Sequence, residues 1–261
     1  MKNIDVISFS QGPGIPNCLR VGAAIARLLS QKLKKPLIGV NHCVAHIEIG
    51  KLKTGCKDPV VVYTSGGNTQ IIAFVDGRYR VLGETQDIAI GNAIDTLARE
   101  LGIEPPYGPN FDKIARKGRW IDLPYVVKGM DVSFSGLLTE ALKRYKSCER
   151  VEDVCFSFQE TCYAMLTEVT ERALAHAGKS EVLLVGGVAR SKRLQKMMET
   201  MCKDRGAKLF VVPPEWASDN GVMIAWVGVL AFKSGVEPLK MEESRIVQKW
   251  RTDEVDVKWI Y

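Results

Sequence analysis

An α/β fold is predicted for this chain, because short apolar strands alternate with amphipathic helices along its length. A second observation supports the prediction: Gly-Gly pairs follow directly after two of the apolar strands, and glycine lets a strand-end turn approach a ligand closely. The composition is ordinary for a globular protein, since 46% of the 261 residues are hydrophobic and 25% are charged. This length predicts one large domain or two lobes.

The first half of the chain predicts a β-α-β-α unit followed by a β-meander. Strands are assigned to apolar, β-branched runs, and the Asp76-Gly77 dipeptide is a hairpin turn between two of them. Asn41 is a natural N-cap for the second helix. The predicted strands cover residues 4–10, 36–40, 60–63, 69–75 and 79–82. The predicted helices cover residues 19–33 and a segment starting after Asn41. The apolar stripe of the first helix comprises Val21, Ala24, Ile25, Leu28 and Leu29.

From residue 90 onward the chain is predicted to be mainly helical. Residues 153–177 form a long amphipathic helix closed by Gly178, and Asp219-Asn220-Gly221 opens the last helix. A buried, parallel-type strand over residues 181–185 and another strand over residues 208–212 lie between them. The helices cover residues 90–101, 110–117, 137–145, 153–177, 191–202 and 221–232.

Several classes of protein are disfavoured by composition. The seven cysteines include no C-x-x-C pair, which favours free thiols in a reducing cytosol over a disulfide framework. No signal peptide is visible, and the longest apolar run, residues 221–232, is too short to span a bilayer and favours a buried helix. The net charge of +6 is concentrated in basic clusters that suit a polyanion, although each cluster alone is typical of a solvated face.

His42 and His46 form the most distinctive pair in the sequence. Four residues apart on a helix, both imidazoles lie on one face and can share a metal ion, although two helix-face histidines without a ligand show the same spacing. A zinc peptidase of the H-E-x-x-H type is disfavoured, because Cys43 stands where that motif needs its glutamate base. Glu48 lies on a different face of the helix.

The two glycine pairs indicate phosphate handling. Gly66 and Gly67 follow one strand and Gly186 and Gly187 follow another, and the second pair precedes a helix whose N-terminal amides favour an anion. Neither pair matches the Walker or G-x-G-x-x-G pattern, and ordinary tight turns use the same residues.

Three aspartates beside glycine turns complete the candidate chemistry. Asp95, Asp112 and Asp219 are each placed to bind a ribose hydroxyl pair or a metal, and each could equally be a helix cap. For Asp219 taken alone, the cap is the default interpretation.

Together these segments resemble one family, the catalytic subunit that makes threonylcarbamoyladenosine in transfer RNA. The matching runs are residues 39–46 (GVNHCVAH), 63–70 (YTSGGNTQ), 83–95 (GETQDIAIGNAID), 128–140 (KGMDVSFSGLLTE), 186–189 (GGVA) and 219–221 (DNG). Residues 248–255 (QKWRTDEV) are similar to the archaeal and eukaryotic branch, which works inside the KEOPS complex. The match covers nearly the whole chain.

The resemblance implies an actin-like, sugar-kinase-like fold: two lobes with ribonuclease-H-like sheets. Family members begin earlier in the chain, so the first lobe is expected to be incomplete here. The first lobe would comprise residues 1–60 with residues 232–261 packing back on it, and residues 61–231 would form the second lobe. Two smaller departures from the family pattern are the turn Gly14-Ile-Pro-Asn17 and Ser191, where asparagine is usual.

The resemblance also implies the site residues. His42, His46 and Asp219 would hold one divalent metal, iron first and zinc or magnesium as alternatives, with Tyr63 approaching it. The residues implied to contact threonylcarbamoyl-AMP or ATP are Tyr63, Thr64, Ser65, Gly66, Gly67, Asp95, Gly108, Asp112, Gly186, Gly187 and Ser191.

The implied activity is acyl transfer. The threonylcarbamoyl group would move from threonylcarbamoyl-AMP to the adenosine beside the anticodon of tRNAs that read codons beginning with adenine. Implied partners are tRNA, a small dimerising KEOPS subunit at the first lobe and an atypical kinase at the second, in the cytoplasm and without a membrane. The alternative is a catalytically impaired subunit of the same fold that binds nucleotide or scaffolds a complex.

Overall fold

The computed structural model describes residues 3–260 and confirms the α/β class. The strands are β1 (Ile7–Gly12), β2 (Leu37–Asn41), β3 (Val60–Thr64), β4 (Thr69–Val75), β5 (Arg78–Glu84), β6 (Val127–Lys128), β7 (Asp131–Val132), β8 (Glu181–Val185) and β9 (Lys208–Val211). The helices are α1 (Pro16–Leu33), α2 (His42–Thr54), α3 (Ile90–Glu100), α4 (Gly108–Ala115), α5 (Ser135–Lys146), α6 (Val151–Ala177), α7 (Lys192–Asp204), α8 (Pro214–Ala217) and α9 (Gly221–Lys233). Two 3₁₀ turns cover Gly187–Arg190 and Thr252–Glu254.

The described residues fall into two compact units. The first unit comprises those of Met1–Gly55, Phe74–Arg80 and Ser218–Tyr261, and the second comprises Cys56–Ala73 and Val81–Ala217. Helix α9 thus belongs with the first unit, whereas the expected lobe boundary placed residues 218–231 in the second. The tip of the β4–β5 connection also belongs to the first unit.

In the first unit, β1 and β2 pair in parallel, and α1 is the crossover between them. Phe9 and Leu37 form a small core with Ala23 and Ala26 of α1. Helix α9 lies against β1 at Gly228, where a Cβ would come within 2.5 Å of the Ser8 side chain. Helix α9 begins at Gly221, after its N-cap Asn220 and two residues after the predicted metal ligand Asp219.

In the second unit, five strands form one sheet in the order β5-β4-β3-β8-β9. Strand β3 is antiparallel to β4 and parallel to β8, and β9 continues the parallel side. The turn predicted at Asp76-Gly77 is present, with both residues at positive φ (50° and 75°). The long helix α6 is buried along much of its length and packs in the main core of this unit. Strands β3 and β8 therefore end side by side, which brings the two predicted glycine pairs to one sheet edge.

Two predicted buried faces are exposed. In α1 the small residues Ala23 and Ala26 face the core, whereas Val21, Ile25 and Leu28 of the predicted stripe are 55–63% exposed. Alanines let the helix close tightly on the two-stranded sheet, so the bulkier residues face outward. Helix α9 was expected to be buried, but it buries one face only, and Val222 remains exposed.

All seven cysteines are free thiols. Within residues 3–260, no helix combines the length and the apolar character needed to cross a bilayer.

Candidate functional site

Helix α2 begins at the predicted position and presents both histidines. The Asn41 side chain caps it by accepting hydrogen bonds from the backbone N–H groups of Cys43 (3.0 Å) and Val44 (3.2 Å). His42 and His46 lie one turn apart with ring centroids 4.9 Å from each other. The predicted N-cap is confirmed, and the His pair shares one face of the helix.

Asp219 joins the pair from far along the chain. Its Oδ1 lies 3.0 Å from Nε2 of His46 and 3.3 Å from Nε2 of His42. The default interpretation of Asp219 as the cap of α9 is wrong, because the cap is Asn220, whose Oδ1 accepts from the Met223 N–H at 3.0 Å. The Asp219 carboxylate is thereby left for the imidazoles.

The geometry of these three side chains fits a divalent metal. One ligand atom from each residue lies within 4.8 Å of the others. Two ligands each about 2.1 Å from a metal are about 3.0 to 3.4 Å apart for octahedral to tetrahedral angles, which matches the two Nε2–Oδ1 distances. Two imidazoles and one carboxylate also leave coordination positions open, as non-haem iron and catalytic zinc sites do.

The pKa shifts in the cluster favour an ionised Asp219 and a neutral His46, which are the forms that bind a metal. Hydrogen bonding to His42 and then His46 holds the pKa of Asp219 far below its usual range. Burial lowers the pKa of His46, so its ring favours the neutral form that ligates metals. Burial raises the pKa of Cys43 to about 12, so its thiol stays protonated and is a poor ligand.

The structure gives a second reason to reject the peptidase. Glu48, the nearest glutamate after the His pair in sequence, is buried and accepts hydrogen bonds from the Tyr79 hydroxyl (2.6 Å) and the Trp259 indole N–H (2.8 Å). A carboxylate engaged by two donors is not placed to activate a water on the metal.

The second unit carries the glycine turns. Gly186 has φ 90° and ψ 170°, a conformation that is almost exclusive to glycine. A Cβ there would lie 2.3 Å from the carbonyl oxygen of Thr64, so the turns after β3 and β8 pack directly on each other. Gly91 at the start of α3 closes on the same region, where a Cβ would lie 2.6 Å from the Ser65 carbonyl oxygen.

A cavity of about 490 Å³ opens beside these turns. Six predicted residues line it: Gly66, Asp95, Gly108, Asp112, Gly187 and Ser191. Thr64, Ser65, Gly67 and Gly186 are not lining residues, although Thr64 packs against Gly186 and Ser65 against the lining residue Gly91. Tyr63 is buried at the end of β3, and its approach to the metal stays a prediction.

Sequence reasoning missed the basic and aromatic part of this cavity. The additional lining residues include Tyr107, Lys113, Arg116, Tyr163, Arg190 and Lys192. Lys113 on α4 and Arg116 at its C-terminal cap carry no local sequence signal that they face a cavity. Four cations and two carboxylates thus surround one cavity.

The interior of the cavity has a polar cluster around Asp112. Burial raises the pKa of Asp112, against hydrogen bonds from Ser191 and Gln159 that lower it. Burial likewise raises the pKa of Asp95. The Ser191 hydroxyl lies beside Asp112 and Tyr163 in this cluster, on the lining of the cavity.

The cavity can therefore bind a molecule with both hydroxyl and phosphate groups. Asp95 and Asp112 can accept from ribose hydroxyls, and the cations at the rim can pair with phosphates. The glycine turns leave room for close backbone approach. Each of these features is typical of nucleotide binding.

Comparison with known proteins identifies the family to which this chain is similar. A model of the tRNA N6-adenosine threonylcarbamoyltransferase family matches residues 1–226. The enzyme of that name from Thermococcus kodakarensis is 57% identical over 99% of this chain and 80% of its own length, and the Archaeoglobus fulgidus enzyme gives the same values. A probable bifunctional tRNA threonylcarbamoyladenosine biosynthesis protein of Methanocaldococcus jannaschii is 55% identical, and this chain spans 48% of it.

Solved structures confirm the predicted actin-like fold class. Thermococcus kodakarensis HypF has a TM-score of 0.70 at 16% identity, over 89% of this chain and 41% of that one. The activator of 2-hydroxyisocaproyl-CoA dehydratase from Clostridium difficile has a TM-score of 0.51 at 11% identity, over 88% of both chains. At such low identities the similarity concerns the fold alone.

Proposed function

Because this chain belongs to the tRNA N6-adenosine threonylcarbamoyltransferase family, a family of transferases, we propose that it transfers threonylcarbamoyl from threonylcarbamoyl-AMP to tRNA. The acceptor is the adenosine beside the anticodon in tRNAs that read codons beginning with adenine. The N6 amine attacks the carbamoyl carbon and the carbon–oxygen bond to phosphate breaks. AMP then leaves and the amine loses one proton.

The observation that carries the proposal is the His42–His46–Asp219 cluster. These residues would hold the metal, for which iron is the first candidate and zinc or magnesium the alternatives. Such a metal would supply Lewis acidity toward a carbonyl or a leaving phosphate. The role of the chain itself is to hold two imidazoles on one face of α2 and the Asp219 carboxylate, which precedes the cap of α9, within reach of both.

The cavity of the second unit supports a role in binding the adenylate. Asp95 and Asp112 would contact the ribose, and Ser191 would donate to or accept from the sugar or base. Lys113 and Arg116 would neutralise the phosphate. The turns at Gly66–Gly67 and Gly186–Gly187 would approach the nucleotide with their backbone amides.

The same proposal includes tRNA and two protein subunits as partners of this chain. The basic clusters of this +6 chain suit the tRNA backbone. The small dimerising KEOPS subunit would cover the exposed apolar face of α1, Val21, Ile25 and Leu28, and the atypical kinase would bind the second unit. Free thiols and the lack of a spanning helix in residues 3–260 support a cytoplasmic location.

A reconstituted transfer assay tests the function. Purified protein, partner subunits, tRNA and threonylcarbamoyl-AMP should yield threonylcarbamoyladenosine, detected by mass spectrometry of digested tRNA. A tRNA without the acceptor adenosine should yield none. If AMP and ATP bind but no modified nucleoside forms with any partner combination, the transferase proposal fails for this chain and the scaffolding alternative replaces it.

A substitution on α1 tests the partner surface. Ile25→Asp places a charge at the centre of the exposed apolar face, so the affinity for the small subunit should fall at least about tenfold, measured by calorimetry. Val126→Asp, at an exposed apolar position in the second unit, is the matched control and should leave that affinity unchanged. Equal affinities for Ile25→Asp and the unsubstituted protein would show that α1 is not the docking face.

A further inference from the structure

The residues after α9 wrap back along the first unit. We call residues 236–259 the C-terminal strap. Its backbone bonds to both strands of the small sheet: the Leu239 N–H donates to the Leu37 carbonyl (2.8 Å), and the Val247 N–H donates to the Gln11 carbonyl (2.8 Å). At Gly12 a Cβ would lie 1.8 Å from the Val247 carbonyl oxygen. The strap is therefore seated in direct backbone contact with β1.

The strap reaches the start of the metal-ligand helix through Asn41. The Asn41 Nδ2 group donates to the carbonyl oxygens of Trp250 (3.3 Å) and Arg251 (3.4 Å), while its Oδ1 caps α2. The side chain is 2% exposed, and all its hydrogen-bonding capacity is used. The cap bonds stay inside α2, whereas the Nδ2 bonds connect this helix end to the strap.

Two further contacts hold the same helix. The buried Thr252 side chain hydrogen-bonds to Cys43, which lies between the two histidines in sequence. The Trp259 indole N–H donates to Glu48, two residues after His46. The strap thus contacts α2 directly before His42 and again directly beyond His46.

The strap is itself stiff where it meets Asn41. The Glu254 side chain accepts from the Arg251 N–H at 3.1 Å, and the Glu254 N–H donates back to the Arg251 carbonyl. This reciprocal pair fixes the 3₁₀ turn that carries Thr252. A fixed turn can hold a helix end in place, whereas a mobile tail cannot.

We propose that Asn41 is a positioning residue for the metal centre: through its bonds to the strap it fixes the first turn of α2, so that His42 and His46 both face Asp219. The Asp219 side chain is 75% exposed and lies outside any helix, so the alignment of the ligands has to come from α2. Partners that orient metal ligands from outside the coordination shell contribute strongly to affinity. This inference rests on the metal site proposed above.

The substitution Asn41→Asp keeps the helix cap and removes the hydrogen bonds to the strap. A carboxylate still accepts from the Cys43 and Val44 amides, but it cannot donate to the two strap carbonyls. An added negative charge would by itself favour a cation. Positioning by the strap predicts the opposite: Co²⁺ affinity should fall about 10- to 100-fold, and the Co²⁺ absorption spectrum should change because the ligand geometry changes.

The matched control is Asn17→Asp, and Thr252→Val is a second test of the strap. Asn17 is exposed in the first turn of α1, so Asn17→Asp makes the same change in charge and should leave Co²⁺ affinity and spectrum as they were. Thr252→Val removes a strap contact without adding charge and should lower the affinity in the same direction as Asn41→Asp.

The possible results distinguish the positioning role of Asn41 from the existence of the metal site itself. If Asn41→Asp and Thr252→Val both keep the original affinity and spectrum, Asn41 is only a helix cap and the inference is overturned. If Asn41→Asp does not fold, Asn41→Ser replaces it, because serine keeps an acceptor for the helix cap and lacks the Nδ2 group that bonds to the strap. If His46→Ala leaves Co²⁺ binding intact, the metal site itself is wrong, whatever the strap variants show.

Discussion

His46→Ala is expected to lower metal affinity by more than about 100-fold, because loss of an orienting partner alone costs 10- to 100-fold and this change removes a ligand. The His46 ring is 1% exposed and its Nε2 lies 3.0 Å from Oδ1 of Asp219, so the substitution removes a buried ligand. Threonylcarbamoyl transfer should fall with it. The measurement is a Co²⁺ or Zn²⁺ titration against a chromophoric chelator.

The third histidine of the chain supplies the control for that experiment. His176 is exposed in the last turn of α6, in the other unit. His176→Ala should keep the original affinity and transfer rate. A similar loss in both variants would mean that imidazoles bind the metal non-specifically, which contradicts a defined centre.

Gly186→Ala is expected to have the second large effect. An alanine at φ 90°, ψ 170° is strained, and its Cβ would lie 2.3 Å from the Thr64 carbonyl oxygen. The free energy of unfolding should fall by about 3 kcal/mol, combining backbone strain with overpacking. Binding of AMP should weaken at least about tenfold, because 1.4 kcal/mol of distortion in the turn already has that effect. Urea unfolding and calorimetry measure the two quantities.

Gly187→Ala is the matched control, one residue away. A Cβ at Gly187 would have no heavy atom within 4 Å, and its φ is not positive. The free energy of unfolding should change by less than about 1 kcal/mol. If the two variants unfold alike, the close packing of the turns after β3 and β8 does not support the cavity as described.

The sequence predicted the local features of the metal centre and not its assembly. Asn41 as the helix cap and His42 and His46 on one face follow from short-range rules, and the structure confirms them. Asp219 lies 173 residues from His46, and no local pattern distinguishes a ligand from a cap there. The cap reading failed because the next residue, Asn220, takes that role.

For the cavity, too, the sequence predicted local features but not all the residues that come together. The glycine turns were recognised because each follows an apolar strand, and their meeting follows from the pairing of β3 with β8. Lys113 and Arg116 were not recognised, because an exposed cation on a short helix has no local signal of what it faces. Tyr163 was missed for another reason: inside a long amphipathic helix, a buried tyrosine looks like any core residue.

The apolar stripe of α1 was assigned to the wrong face. Periodicity shows that a helix is amphipathic but weighs bulky residues above alanine. In α1 the alanines pack on the sheet and Val21, Ile25 and Leu28 face outward. The contacts of the C-terminal strap with Asn41 were equally beyond local rules, because they join residues more than 200 positions apart.

Anomalous X-ray diffraction from crystals loaded with iron or zinc tests the central claim most directly. The account predicts one strong metal peak about 2.0 to 2.2 Å from Nε2 of His42, Nε2 of His46 and a carboxylate oxygen of Asp219. No peak there, or a peak bound by other residues, would contradict the claim that these three side chains form the metal centre of the transferase.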